Sequence, residues 1–339
     1  MAVKTNLGRV GLVPRGAYSP SESYARLDIV THEGSCYAAL TDLRGVTPGT
    51  DETRWQLLAS RGEQGLPGAR GGIAIAQGAP YEGVNLFEKF QSEIDANHGG
   101  DGLQWLKQRI AAWDVADLYI GDWFPITCKN GTTLSMQIAG IDNYRGYGNP
   151  ALQHHIDFVS KELWSDLVSF NATNTNAGYG SEKVPWLCSN AYAYLNSLAM
   201  TVAGGTSVDY TSGGVYSQLP EALQAMIVPK QLMEFLTATS WQMRELGKLW
   251  LPSEVEVMGT QVFGTVYRSG FQIPYPLFAH NAMSRVKFGG PKKEATSWWT
   301  TSAATINSTD FCSMHYSGYT INNPAVAKLG VPVCFRLAP

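Results

Sequence analysis

The hydrophobic pattern changes along the chain and predicts short strands first, then a mixture of helices and strands. Two short runs, 27–31 and 35–40, are strand-like, and a tight "HEG" turn separates them. A third short strand is predicted around Trp55. Residues 1–60 therefore predict a small all-β module, whose limited core depends on aromatic side chains. These core residues are Tyr24, Tyr37 and Trp55.

The larger part of the chain, residues 81–339, contains apolar residues at helical spacing in some segments and strand-like apolar runs in others. "LQWLKQRIAAW" predicts an amphipathic helix, because its apolar residues recur at helical spacing. "YIGDWFPIT" and "TLSMQIAGIDNY" predict strands joined by a turn at Lys129-Asn130-Gly131, and "HHIDFVS" predicts another strand. "NAYAYLNSLAM" and "EALQAMIV" predict helices, and Ser253 with Glu256 matches a capping box that opens a further helix. The last 40 residues predict terminal strands, so the fold class is α+β with long loops.

A glycine-rich connector, residues 61–80, separates these two parts. Its composition argues against a compact unit. Four glycines recur at every third residue, which is the collagen period: Gly62, Gly65, Gly68 and Gly71. So short a repeat would not form a triple helix alone, but flanking domains that already trimerise would raise the effective concentration. Two alternatives stay open, a short trimer neck on a three-fold axis and a flexible hinge.

Composition excludes several classes of function. The 339-residue chain has a net charge of −3 and no basic run, so nucleic acid is not an expected partner. No apolar run approaches the roughly 18–20 residues that span a bilayer, and the N-terminus lacks the apolar core of a signal peptide. We therefore expect no membrane insertion and synthesis in a bacterial cytoplasm. Scarce charges and plentiful Gly, Tyr and Trp are typical of extracellular binding proteins and virion proteins.

The five cysteines predict free buried thiols rather than a chemical site, because they lie far apart and form no CxxC pair. Cys334 sits inside the apolar run "VPVCFRL", and Cys312 follows a phenylalanine. A redox pair or copper site formed by these two is the alternative, and inert thiols are the favoured interpretation.

Metal and catalytic motifs are weak. In "HHID", His155 and Asp157 share one face of a predicted strand and could begin a metal site, but no third ligand follows at a fixed spacing. "NNP" lacks the carboxylate that a calcium-dependent sugar site needs. No nucleophile elbow, phosphate loop or zinc-protease motif occurs in a plausible context. We therefore expect no catalytic residue, no metal and no cofactor.

A set of residues in the first 60 resembles a known module: Tyr18, Tyr24, Asp28, Val30, Gly34, Tyr37, Pro48, Trp55 and the exit "LLASRGEQG". They resemble the small carbohydrate-binding module of bacterial chitinases, in the version found near the ends of phage tail and baseplate proteins. The resemblance implies a fold held by the core aromatics and a sugar platform of two exposed aromatics just after Tyr37. Here those positions are occupied by Ala38 to Leu40, so we interpret the module as a structural or docking unit.

Six motifs follow in order from about residue 115: "YIGDWFPI…MQIAGID", "HHIDFVSKEL", "YLNSL", "LPEALQAMIVPK", "KLWLPSEVEVMG" and "WWTTSA…GVPVCFRL". This order resembles an uncharacterised domain family of gut bacteria and their phages. The "WW" strand and the closing "GVPVCFRL" are also similar to the C-type-lectin-like architecture shared by formylglycine-generating enzymes and phage receptor-binding domains. The resemblance implies a C-type-lectin-like α+β domain over residues 81–339.

Recognition is expected in the loops near the C-terminus. "STDFCSMHYSGYTINNPA" is rich in Tyr, Ser, Asn and Gly, which recognition loops favour because Tyr gives rigid amphipathic contact and the small residues adapt. The alternative for the two tryptophans is a place in the core, one on each face of a strand. The candidate ligand-binding residues are Trp298, Trp299, Tyr316, Tyr319, Asn322 and Asn323.

These observations predict a virion-surface protein of a bacteriophage, a receptor-binding or tail-fibre-type component. We expect a homotrimer that contacts other virion proteins and attaches non-covalently to a glycan or protein of the bacterial surface. A capsid decoration protein or head fibre is the alternative within the virion. A lectin-fold oxidoreductase related to formylglycine-generating enzymes is the alternative from another class.

Overall fold

The computed structural model describes residues 11–60, 81–237, 240–264 and 272–339. The chain divides into two compact units, Met1–Leu66 and Pro67–Pro339, and each has a hydrophobic core of its own. The predicted neck stays a prediction because its glycines lie outside the described residues. They are Gly62, Gly65, Gly68 and Gly71.

Short strands build the N-terminal unit, as its strand-like runs predict. The main sheet has the order β1-β3-β4-β6, in which β1 runs parallel to β3 and the other pairs are antiparallel, while β2 pairs with β5. The strands are β1 (Val13–Ala17), β2 (Ser23–Tyr24), β3 (Asp28–His32), β4 (Ser35–Ala39), β5 (Leu43–Arg44) and β6 (Trp55–Ala59).

Aromatic rings fill the core of this unit. Tyr24 and Trp55 are each 2% exposed, and their ring centroids lie 5.7 Å apart. The Trp55 indole donates a hydrogen bond to the Val46 carbonyl at 2.8 Å, which satisfies its N–H inside the core. Tyr37 packs against this core but stays partly exposed. Leu40, at a position where the resemblance implies a sugar platform, is exposed.

Helices and strands are mixed along the C-terminal unit, and the composition is that of an α+β fold rich in strands. Its helices are α1 (Leu86–Lys89), α2 (Gln91–His98), α3 (Gly102–Ala111), α4 (Asn190–Asn196), α5 (Val215–Gln218), α6 (Glu221–Gln224), α7 (Glu254–Met258) and α8 (Pro276–His280). Among the described residues, 3-10 turns cover Pro185–Cys188 and Ala282–Arg285.

The strands of this unit form one large sheet, a three-stranded sheet and several two-stranded ladders. They are β7 (Trp123–Thr127), β8 (Thr133–Ile141), β9 (Ile156–Leu163), β10 (Val168–Ser169), β11 (Ala199–Val202), β12 (Thr206–Asp209), β13 (Ile227–Val228), β14 (Gln231–Thr237), β15 (Ser240–Glu245), β16 (Phe288–Gly289), β17 (Glu294–Ala295), β18 (Trp298–Ala303), β19 (Asp310–Met314), β20 (Thr320–Pro324), β21 (Lys328–Leu329) and β22 (Pro332–Leu337).

A five-stranded antiparallel sheet of order β13-β22-β9-β8-β7 lies at the centre of the unit. Every residue of β22 is buried, as are most of β8 and β9. Strands covered on both faces carry continuous apolar runs rather than strict alternation, which explains the run "GVPVCFRL". The helices α1 to α3 pack beside this sheet through aromatic contacts, of which Phe87 against Phe124 at 5.4 Å is one.

Several predicted elements are confirmed. Two helices are shorter in the structure than the sequence predicts. The capping box at α7 is present, with the Ser253 hydroxyl accepting from the Glu256 N–H and the Glu256 carboxylate accepting from the Ser253 N–H. In "NAYAYLNSLAM" the helix ends at Ser197, which adopts a left-handed conformation with φ of 55°. In "EALQAMIV" the last apolar pair leaves the helix because Ile227 pairs with Leu337 of the central sheet.

We expect Trp55→Ala to unfold the N-terminal unit. Removing a buried tryptophan costs about 3–5 kcal/mol, and a unit with so small a core has little more than that to lose. Calorimetry of the full chain should show the transition of this unit lost and that of the C-terminal unit retained. Leu58→Ala is the control, because Leu58 is 46% exposed and its truncation should leave both transitions in place. Unchanged transitions in Trp55→Ala would contradict the assignment of this core.

Candidate functional site

A turn at the tip of the β19–β20 hairpin presents three aromatic rings to solvent. We call residues 315–319, "HYSGY", the hairpin tip. The His315 ring stacks on Tyr319 at 4.3 Å and contacts Tyr316 at 3.8 Å between centroids. Tyr316 is 52% exposed and Tyr319 is 51% exposed. Two of the residues predicted to bind ligand therefore meet in one exposed cluster.

Backbone hydrogen bonds hold the hairpin tip rigidly. The N–H of His315 donates to the Tyr319 carbonyl at 2.7 Å, and the N–H of Gly318 donates to the His315 carbonyl at 2.8 Å. The Tyr316 N–H donates to the Ser297 hydroxyl at 3.1 Å, which ties the tip to the chain before β18. Gly318 has φ of 88°, and a Cβ there would lie 3.2 Å from Val286, so both conformation and space favour glycine.

The base of the hairpin is fixed by a buried carboxylate. Thr320, the first residue of β20, donates its hydroxyl hydrogen bond to Glu254 of α7 at 2.8 Å. The same carboxylate accepts from the backbone N–H groups of residues 262–264. Glu254 is fully buried, so its charge depends on these donors. The hairpin tip therefore extends from a base that the interior of the unit holds in place.

Trp298 and Trp299 are not surface residues. Both are fully buried, and each indole donates a hydrogen bond to a backbone carbonyl, Trp298 to Arg285 and Trp299 to Val168. The prediction that both tryptophans belong to an exposed recognition patch is therefore wrong, because both side chains lie in the core. Of the two alternatives that the sequence left open, the core position is the observed one.

Asn322 and Asn323 brace the hairpin. The Asn322 amide donates to the Asp310 carboxylate at 2.6 Å, and the Asn323 amide donates to the Ser313 hydroxyl at 2.7 Å. Both bonds cross from β20 to β19, so these amide groups stabilise the pair of strands. They lie outside the hairpin tip and support it from its base.

A network of buried charges lies in the central sheet. Arg336 of β22 binds Asp157 of β9 through two hydrogen bonds, at 2.7 and 2.8 Å, and the two residues are direct partners in the strand register. Lys230 forms a second buried ion pair with Glu256 of α7. Tyr275 joins the pairs, because its hydroxyl donates to Asp157 at 2.9 Å and accepts from Lys230 at 3.1 Å.

Sequence reasoning missed this network, although one signal was available. Charged residues inside the otherwise apolar strands "IDFV" and "PVCFRL" must find a partner, since a lone buried charge is strongly unfavourable. The signal does not tell which residues pair. Lys230, Glu256 and Tyr275 come from three further segments that only folding brings together.

The "HHID" residues are engaged in hydrogen bonds and ion pairs within the fold. His155 accepts a hydrogen bond at Nε2 from the Tyr144 N–H at 3.0 Å, and Asp157 binds Arg336. His154 pairs with Asp142 at 2.8 Å and stacks on Trp113. Across the described residues, no group of three or more His, Cys, Asp or Glu side chains is arranged to hold a metal ion.

Burial and charge set the protonation of this region. Burial is the main cause that lowers the pKa of His155 to about 4, with Asp157 opposing it and the Arg336 cation adding to it. Burial alone would raise the pKa of Asp157, but the Arg336 guanidinium outweighs burial and lowers that pKa to about 2. At neutral pH the site therefore holds a neutral imidazole beside a bound carboxylate.

The cysteines and one lysine are enclosed as well. Cys312 and Cys334 are fully buried free thiols, and burial raises the pKa of both. Thiolate, the reactive form, is therefore disfavoured at neutral pH. Burial lowers the pKa of Lys287 to about 8, and its ammonium donates to the Ser160 carbonyl.

Among the described helices, none is long and apolar enough to cross a membrane.

Comparison with protein families gives one assignment. Residues 160–339, which contain the hairpin tip, match the model of a domain of unknown function, DUF6273. The chain belongs to the DUF6273 family. No curated protein shows significant similarity to the chain, and no solved structure does either.

The DUF6273 match begins inside β9 of the central sheet. Strands β7 and β8, which complete that sheet, lie before the match, and so does Asp157, the partner of Arg336. The folded unit is therefore larger than the matched DUF6273 segment, because the buried pair needs both parts.

We expect Asp157→Asn to lower the free energy of unfolding by about 3–5 kcal/mol, because it leaves Arg336 charged and buried without its counter-ion. Chemical denaturation at pH 7 measures this. The control is Glu294→Gln, which breaks the surface pair with Lys292 at 3.8 Å and should change stability by less than about 1 kcal/mol. Equal small effects in both variants would show that the buried pair contributes little.

We expect His155 to make the protein less stable as pH falls from 6.5 towards 4. Its folded pKa of about 4 lies below the ordinary 6.5, so in this window the unfolded state binds the extra proton and acid favours unfolding. In this window His155 lowers the free energy of unfolding by about 1.4 kcal/mol for each unit by which the pH falls. Urea unfolding between pH 7 and 5 should show this slope reduced in His155→Gln, whose amide can still accept from Tyr144. Parallel stability curves for the two proteins would refute the assignment.

Proposed function

We propose that this protein is a bacteriophage virion-surface attachment protein whose C-terminal unit binds a bacterial surface glycan through the hairpin tip. The observation that carries the proposal is the exposed cluster of Tyr316, Tyr319 and His315 on a rigid turn. The sequence resemblances to phage tail and receptor-binding modules are what suggest a virion for this chemistry.

The ring cluster suits sugar binding for physical reasons. Tyrosine faces pack against the C–H faces of a pyranose, and their hydroxyls can exchange hydrogen bonds with sugar hydroxyls. The rings already stack on His315, and the turn is held by hydrogen bonds, so little conformational entropy is lost on binding. Contact of this kind is non-covalent and needs no reactive group.

The N-terminal unit would serve as the docking end. The positions where the resemblance implies a sugar platform are Ala38 to Leu40 here; Ala38 and Ala39 are buried, whereas Leu40 is exposed, and Leu57 and Leu58 on β6 are each 46% exposed. Aliphatic side chains favour contact with another protein over stacking on sugar. In this proposal the unit attaches to other virion proteins, and the Gly-x-y connector forms the neck of a homotrimer that presents C-type-lectin-like domains.

The geometry favours attachment over the oxidoreductase alternative. Cys312 and Cys334 belong to two different sheets, are fully buried and have raised pKa values. A redox pair needs accessible thiolate, and these positions disfavour it.

We expect Tyr316→Ala and Tyr319→Ala each to weaken glycan binding about tenfold, the effect of losing roughly 1.4 kcal/mol from an aromatic contact. The measurement is binding of the full chain to an array of bacterial surface polysaccharides. Tyr147→Ala is the matched control, because Tyr147 is 55% exposed and lies outside the hairpin tip. Absence of binding by the wild-type chain, or equal binding by all three variants, would refute the proposal.

A further inference from the structure

A surface groove of about 450 Å³ lies away from the hairpin tip in sequence, between the β7–β8 turn and the β16–β17 turn. We call it the Phe288 groove, after the aromatic residue on its wall. Phe288 is 56% exposed, a large exposed fraction for a phenylalanine side chain, since most phenylalanines are buried. The end of β9, with Glu162 and Leu163, contributes the rest of the lining on this side.

Close backbone packing builds the groove. Gly289 follows Phe288 and lies against Leu163, so that a Cβ at Gly289 would lie 2.5 Å from the Leu163 Cβ. Leu163 is 3% exposed and belongs to the main core. The exposed ring of Phe288 is therefore held next to a fixed floor, and the groove has its shape before any ligand binds.

The polar groups of the groove are available to a ligand. Within the described ranges, the hydroxyls of Thr132, Thr133 and Ser165 have no hydrogen-bond partner. Asn130 is exposed; its side-chain oxygen accepts from the Thr132 N–H, and its amide donors have no partner among the described residues. An exposed aromatic face surrounded by hydroxyl and amide groups matches a ligand with C–H faces and many hydroxyls.

Charge balance points to a neutral ligand. The lining carries one carboxylate, Glu162, and one ammonium, Lys293. Glu162 already accepts from the N–H and the hydroxyl of Ser135, at 2.7 and 3.0 Å, so its orientation is fixed. One charge of each sign gives no net attraction for an anion or a cation, while both groups can hydrogen-bond to sugar hydroxyls.

We propose that the Phe288 groove is a second saccharide site, which takes one neutral hexose or N-acetylhexosamine unit with its C–H face on the Phe288 ring. This inference rests on the proposed glycan attachment and deepens it, since two sites on one domain would bind a polysaccharide at two points along its chain. Weak binding at each site would then add through avidity.

The test uses the full chain and a panel of glucose, galactose, mannose, N-acetylglucosamine and N-acetylgalactosamine. Saturation-transfer NMR at about 10 mM sugar detects the roughly millimolar affinities of single saccharide units. We expect at least one sugar to receive transfer in the wild-type chain. Phe288→Ala should weaken that binding at least about tenfold, and the matched control Tyr147→Ala, which also removes an exposed ring, should keep it.

Loss in Phe288→Ala with binding retained in Tyr147→Ala supports the groove. No transfer to any sugar of the panel, or equal transfer in Phe288→Ala and wild type, overturns it. Thr133→Val, which removes one free hydroxyl without reaching the core, provides a second variant and should also reduce transfer. The proposed function fails separately: it fails when the polysaccharide array shows no binding, or no effect of the hairpin tip variants, whatever the monosaccharides do.

Discussion

The bidentate pair between Asp157 and Arg336 is the interaction on which the C-terminal unit depends. Two opposite charges at the centre of a sheet are tolerated only together, because either alone would be buried without compensation. Their hydrogen bonds fix the register of β9 against β22, since a shift of one residue would point the two side chains to opposite faces. The hydrogen bonds of Tyr275 and the Lys230–Glu256 ion pair connect this buried pair to α7 and to the start of α8. Segments far apart in the sequence are thereby required to meet in one arrangement.

The hairpin tip is held in place by contacts between its base and this interior. Residue Glu256 of α7 belongs to the charge network, and Glu254 on the same short helix holds Thr320 at the base of the hairpin. Next to it, the buried indoles of Trp298 and Trp299 fix β18 through hydrogen bonds to two other segments. The exposed rings are therefore only a few contacts removed from the most constrained part of the molecule.

The sequence predicts local features better than long-range ones. Strand-like runs next to turn residues predict β3, β4 and β8, and the Ser253 and Glu256 pair predicts the start of α7, because these signals depend on neighbours within a few residues. The exposed tyrosines of the hairpin tip were also predicted, from composition. Trp298 and Trp299 were ambiguous because a strand pattern does not tell which face a second layer covers. Tyr275 and the Phe288 groove were missed, since each depends on a residue more than 100 positions away along the chain, Asp157 for Tyr275 and Leu163 for the groove.

The distribution of chemistry within the C-terminal unit supports recognition as its role. Groups that catalysis would use, namely thiols, a neutral imidazole and a lysine with a lowered pKa, are enclosed and engaged or protonated in the interior. The groups presented outward are different: phenol and phenyl rings, free hydroxyls and amides on turns that the core holds still. Such surfaces gain affinity from shape and from ordering completed before the ligand arrives. A polysaccharide repeats its units, so the two proposed weak contacts on one domain, multiplied across the proposed homotrimer, would give firm attachment without any single tight site.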